Sequence, residues 1–209
     1  MAGNPELWSD FDGTAIDIVR KTDWRNWFKA GIPILDGYIE FLYGAQEAGV
    51  DIAGVLSRRN DRARRGTTMH SIATLGLGEY FGDPAKVILA GSESAKGRYL
   101  AQRSLVGPVG MLEDKPHKLT PVVVGALTQE MIDGGTPHRI IIGAVDTPNM
   151  LDRLDQLGKE ARATNGLTVN TSPGGLTIQH DAATIQIVPL PPYSYETGLI
   201  FGRTLANTA

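Results

Sequence analysis

Asp10-Phe11-Asp12-Gly13-Thr14 is the stretch on which the reading of this chain turns. It follows Glu6-Leu7-Trp8-Ser9, a short run that reads as a strand leading into Asp10. Two acids two positions apart, then a glycine that permits a sharp turn, set carboxylates at the end of that strand. Ligands of open α/β sheets bind beyond the carboxyl ends of the strands, so Asp10 and Asp12 stand where a site belongs. The plain alternative is a strand-ending turn, because Asp and Gly are common turn residues.

Outward from this stretch, apolar runs alternate with helical periodicity. Helices are predicted over 34–46, 61–75, 93–104, 119–131 and 149–164, the third capped by Ser92 or Ser94. Strands are predicted over 50–56, 86–90, 109–112 and 139–145. The strands are apolar nearly throughout, as they are when both faces of a parallel sheet are covered. The fold class expected is α/β: three α/β/α layers about a central parallel sheet, Rossmann-like. After Asn165 the pattern changes to LTVNT, LTIQH and TIQIVPL, separated by Gly and Pro turn signals. Residues 1–164 are therefore expected as the core and 165–209 as a small β-rich extension.

Other strand ends add to the first. The second strand ends at Ser57, followed by Arg58 and Arg59, and the strand 109–112 runs into Glu113-Asp114. Carboxylates gathered at one edge repel, and the cost rises severalfold as the site loses water. A cation among them removes that difficulty, and an oxygen-only ligand set favours Mg²⁺ over zinc.

In order and placement these residues resemble the haloacid-dehalogenase-like (HAD) superfamily, over roughly residues 7 to 150. The matching pieces are DFDGT after the first strand, Ser57 in GVLSRR, Lys96 in SESAKGRYL, and the acidic pair in VGMLEDKP. The pair is Glu-Asp where Asp-Asp is more usual in the family. An acid at Asp12 resembles the phosphatase branch in particular. The resemblance implies that Asp10 attacks phosphorus and forms an aspartyl-phosphate, with Asp12 as general acid and then base. It implies that Ser57 holds a phosphoryl oxygen and that Lys96 pairs with the nucleophile. It further implies Mg²⁺ on Asp10, the backbone carbonyl of Asp12, and Asp114, with Glu113 beside it. Lys115 is the alternative to Lys96, and Asp146 reads as a helix cap rather than a further site acid.

Substrate clues are fewer. No long insertion separates Thr14 from the next helix or Ser57 from Lys96, so the chain resembles capless or minimally capped members. Thr14, Arg58 and Arg59 are the candidate substrate contacts, the arginines at the rim for an anionic group. A solvated basic face is the alternative reading, above all for Arg64 and Arg65. Arg20, Lys21, Trp24, Arg25, Trp27, Phe28 and Lys29 interleave bases and aromatics. They suit either a nucleotide or nucleic-acid end, or a flap anchored by its tryptophans.

Composition narrows the classes. With no cysteine, disulfides, thiolate zinc sites and cysteine nucleophiles are excluded. The four histidines lack metal-ligand spacing, and His117 reads as a loop residue near Asp114. A net charge of −3 gives no general attraction to nucleic acid or membrane. With no apolar run of membrane-spanning length and no leader-like start, a cytoplasmic protein is expected. The leading function is Mg²⁺-dependent hydrolysis of a phosphomonoester. The alternatives are a nucleotidase or nucleic-acid end phosphatase, and a non-catalytic HAD-like binding domain.

Overall fold

The computed structural model describes residues 4–16, 33–130, 138–145, 149–164, 166–172, 174–180 and 183–207. Its strands are β1 (Glu6–Ser9), β2 (Asp51–Ser57), β3 (Val87–Leu89), β4 (Val109–Glu113), β5 (His138–Ala144), β6 (Thr168–Ser172), β7 (Gly175–His180) and β8 (Ala183–Pro189). Its α-helices are α1 (Tyr38–Glu47), α2 (Asp61–Thr74), α3 (Gly78–Phe81), α4 (Glu93–Ser104), α5 (Pro116–Glu130), α6 (Met150–Arg162) and α7 (Tyr195–Ala206). None is long and apolar enough to cross a membrane.

All eight strands form one sheet, in the order β3-β2-β1-β4-β5-β8-β7-β6. The first six are parallel to one another, and β7 and β6 finish the sheet antiparallel. Strand side chains alternate between two apolar clusters, because successive Cβ atoms point to opposite faces. Leu7, Val55, Leu112 and Ile141 face the cluster shared with α1, α3 and α7. Trp8, Leu56, Met111 and Ile142 face the one shared with α4, α5 and α6. The expected α/β layering is present, about a sheet that is mostly rather than wholly parallel.

The residues predicted as a β-rich extension are built into this core. β8 pairs with β5 from His138↔Ala183 to Ala144↔Pro189, and β7 and β6 continue from it. The chain then forms α7, a helix that the Pro-rich stretch 189–192 hides from pattern reading. Its start is a capping box, with the Ser194 hydroxyl accepting from Thr197 N–H and Thr197 Oγ1 accepting from Ser194 N–H. Glycines let α7 lie directly on α1. A Cβ on Gly198 would stand 2.0 Å from the Phe41 carbonyl oxygen, and one on Gly44 would stand 2.1 Å from that of Tyr195.

The topology sets the site. From β1 the chain winds through β2 and β3 on one side, then crosses to β4 and β5 on the other. The crevice between the carboxyl ends of β1 and β4 is the switch point at which such sheets bind ligands. Ser9 is level with Val55 and with Leu112, so the ends of β1, β2 and β4 share one edge.

Candidate active site and cation-binding cluster

β1 stops at Ser9, and Asp10 N–H donates to the Leu112 carbonyl at 2.9 Å, which fixes the residue against β4. Gly13 then takes φ 84°, the left-handed region that glycine enters without a Cβ clash. Gly13 N–H donates to Ile16 O, and the N–H groups of Ala15 and Ile16 return to Phe11 O. This tight loop buries Phe11 and Thr14 and holds Asp10 at the strand end.

Three elements deliver the rest. Ser57 closes β2 and is buried. Lys96 stands in the first turn of α4, whose N-cap is Ser92, the Ser92 hydroxyl accepting from Ala95 N–H at 3.1 Å. Glu113 ends β4, and Asp114 follows it; both are buried. Lys96 Nζ lies 3.1 Å from Asp10 Oδ1 and donates to Glu113 Oε2 at 2.5 Å. One carboxylate oxygen from each of Asp10, Glu113 and Asp114 lies within 4.8 Å of the other two.

The charges are tightly coupled. Burial raises the Asp10 carboxyl above its ordinary value against the pull of Lys96. Burial also carries Glu113 up to about 8, Lys96 again opposing. Burial disfavours the charge on Lys96, but Asp10 and Glu113 overcome it and hold the ammonium above its usual range. Two ammoniums, Lys96 and Lys115, face three acids, so the fully ionised cluster keeps an excess of one negative charge. Asp114 Oδ1 and Thr14 Oγ1 are buried with no hydrogen-bond partner among the described residues. An orphaned carboxylate oxygen is costly inside a protein, and a hard cation among oxygen ligands relieves it. The residues present fit such an ion.

Lys96 and Lys115 take different places. Lys96 bridges Asp10 and Glu113, whereas Lys115 Nζ pairs with Asp114 and its N–H donates to Glu113 Oε1 at 3.0 Å. The Asp12 carboxylate stands apart from the three acids and is held by Arg59. Arg59 also donates to Thr68 Oγ1 at 2.8 Å and lies over the Phe11 ring at 4.8 Å from its centroid. Arg58 is half exposed and pairs with Glu93 at 3.5 Å. Arg64 is exposed, but Arg65 is tied to Asp61 and to the carbonyls of Pro84 and Val87. His117 belongs to the first turn of α5 rather than to a loop, because Pro116 begins that helix. The segment from Arg20 to Lys29 and Asp146 lie outside the described residues.

Two tyrosines near the acids have no counterpart in the sequence reading. Tyr38, at the start of α1, donates from its hydroxyl to Ser9 Oγ at 2.7 Å, and Ser9 Oγ donates to Asp10 O at 2.8 Å. Tyr193, ahead of α7, packs edge-on against Tyr38. Pattern reading offers no signal for either, since both meet the site only through the α1 and α7 packing. Comparisons of the chain with protein-family models, with curated proteins and with solved structures find no match.

Proposed function

We propose that the protein is a Mg²⁺-dependent phosphohydrolase that cleaves a phosphomonoester through an aspartyl-phosphate on Asp10. The observation that carries this reading is the convergence of Asp10, Glu113, Asp114 and Lys96 at the switch point of the sheet. The motif order supports a Rossmann-like HAD core of the phosphatase branch.

In this reading an Asp10 oxygen attacks phosphorus, and the bond from phosphorus to the leaving oxygen breaks. Asp12 gives a proton to that oxygen. Asp12 then takes a proton from water as the water attacks phosphorus, and the bond to Asp10 breaks to release phosphate. Lys96 keeps Asp10 ionised and oriented, and the ammonium adds positive charge where the phosphoryl group builds negative charge. Ser57 and Thr14 offer hydroxyls to phosphoryl oxygens. Arg58 offers its guanidinium to an anionic substrate at the rim, whereas Arg59, expected beside it, is committed to Asp12 and Thr68. Asp10, Asp114 and the Asp12 carbonyl are the groups to hold Mg²⁺, with Glu113 beside them. When bound, the ion offsets the charge that keeps one anion from attacking another.

The test is release of phosphate from an aryl phosphate in Mg²⁺, in EDTA, and with Asp10→Asn. The expected outcome is turnover that needs the metal and vanishes in the variant. Absence of metal-dependent turnover across a panel of phosphate esters rejects the reading in favour of a binding domain.

A further inference from the structure

The segment between β8 and α7 runs along the same sheet edge as the acids. Leu190 N–H donates to the carbonyl of Ala144, the last residue of β5, at 2.8 Å. The next residue of that edge, Val145, donates to the carbonyl of Glu113 at 3.0 Å. Three residues beyond Leu190 stands Tyr193, whose position is over-determined. Its ring meets Tyr38 edge-on at 5.4 Å and Phe41 at 5.1 Å. Its backbone lies so close to Gly37 that a Cβ there would stand 2.0 Å from the Tyr193 carbonyl oxygen. Tyr38 in turn bonds Ser9, the neighbour of Asp10.

A ring clamped in this way ends in a buried hydroxyl with no hydrogen-bond partner among the described residues. Burying a hydroxyl without a partner costs free energy, so the fold gains nothing from the oxygen as it stands. A phenylalanine would make the same ring contacts. We infer that Tyr193 is a further ligand-contacting residue of the site. Its hydroxyl hydrogen-bonds an oxygen bound at the cation held by Asp10 and Asp114. This rests on the cation-dependent reading above.

The electrostatics agree with a donor. Burial, then Tyr38 and the carboxylates of Asp114, Asp10 and Glu113, raise the Tyr193 hydroxyl well above its ordinary value. It therefore keeps its proton at neutral pH. The oxygen it meets is one of two kinds: an oxygen of the phosphoryl group, which accepts from the tyrosine, or a water on the ion, which donates to the tyrosine oxygen.

The test is Tyr193→Phe, read by calorimetric titration with Mg²⁺ alone and with inorganic phosphate in saturating Mg²⁺, and by thermal melting in EDTA. The melting temperature without metal should hold or rise, because an unpartnered buried hydroxyl has gone. Affinity should fall about threefold to tenfold, the worth of one hydrogen bond. Loss already with Mg²⁺ alone assigns the partner to a metal-bound water. Loss only with phosphate assigns it to the phosphoryl group. Unchanged affinity in both titrations, or a fall in the metal-free melting temperature, overturns the inference and points to a purely structural tyrosine. A wild-type protein that binds neither Mg²⁺ nor phosphate rejects the cation-dependent reading itself, and this inference falls with it.

Discussion

The guanidinium of Arg59 grips both carboxylate oxygens of Asp12, Nε donating to Oδ2 at 2.8 Å and Nη2 to Oδ1 at 2.6 Å. The pair is mostly shielded from water. Two parallel charge-assisted bonds fix the plane of the carboxylate as well as its position, which a lysine cannot do. Asp12 is thus positioned from a different strand end, through a residue two places beyond Ser57.

Arg59→Ala should lower stability by about 1–3 kcal/mol, the usual worth of hydrogen bonds to charged groups. Arg59→Lys should recover less than half of that loss. Denaturant melts of the two variants give the comparison. Asp12→Asn, which keeps the shape but cannot carry the proton, should cut kcat by about 10²–10⁴ with little change in KM. A reduction under tenfold argues against Asp12 as the acid.

Lys96 is the fully buried ammonium that bridges Asp10 and Glu113, while Lys115 pairs with Asp114, so Lys96→Met tests the balance of the cluster. Removing one partner of a buried pair costs about 3–5 kcal/mol when the rest stays charged. The loss should be larger near pH 8 and smaller near pH 5, where Glu113 holds a proton. Mg²⁺ should restore part of it at pH 8 by supplying the missing positive charge. Equal melting temperatures for variant and wild type in EDTA at pH 8 contradict this account.

Much of the frame was legible in the sequence because strand ends are marked by apolar runs that stop. VDIAGVLS and VGMLE end where Ser57 and Glu113 appear, and the helix carrying Lys96 announces itself through Ser92. What pattern cannot supply is which long side chain reaches which acid. Arg59 and Asp12 are 47 residues apart, and nothing local sets Arg59 apart from Arg58 or Arg62. Tyr193 and α7 escaped for a related reason. Pro189, Pro191 and Pro192 signal extended chain, and that signal is right for the residues it covers. The helix begins only at Tyr195, beyond the reach of the prolines. The place of β8 inside the sheet follows from pairing with β5, a non-local choice that local alternation does not encode.

The acid cluster makes stability depend on pH, with a definite sign. Glu113 is pushed from its ordinary 4.5 up to about 8, chiefly by burial. Between those values the folded chain keeps a proton that the unfolded chain has lost, so metal-free stability falls as pH rises across the window. Lys96 shifts upward from 10.5, so the stability it contributes is fully present throughout this range. Melting in EDTA from pH 5 to 8.5 should show the decline, and Glu113→Gln should flatten it. Since a bound cation needs ionised ligands, Mg²⁺ binding near pH 7 should release protons. Titration in two buffers of different ionisation enthalpy detects that release, and equal apparent enthalpies count against a shared proton in the metal-free site.

The contact between α1 and α7 leaves no room for added side-chain atoms, and α1 also carries Tyr38 towards the site. Gly198 lies under the Phe41 carbonyl, with 2.0 Å available to a Cβ, and Gly202 would meet the Ala48 Cβ at 2.7 Å. The atom met at Gly198 is backbone, so the helices themselves must part to admit a methyl group. Gly198→Ala should gain about 0.8–1 kcal/mol in helix preference, yet lose overall by about 1–3 kcal/mol, the range for overpacking. Any displacement of α1 is transmitted through Tyr38 to Ser9, and so to Asp10. Weaker Mg²⁺ binding should therefore accompany the lower melting temperature. Glycine 125, with nothing within 4 Å of its built Cβ, serves as the control. Gly125→Ala in α5 should hold or raise the melting temperature, and a Gly198→Ala protein as stable as that control would show that the helices separate at no cost.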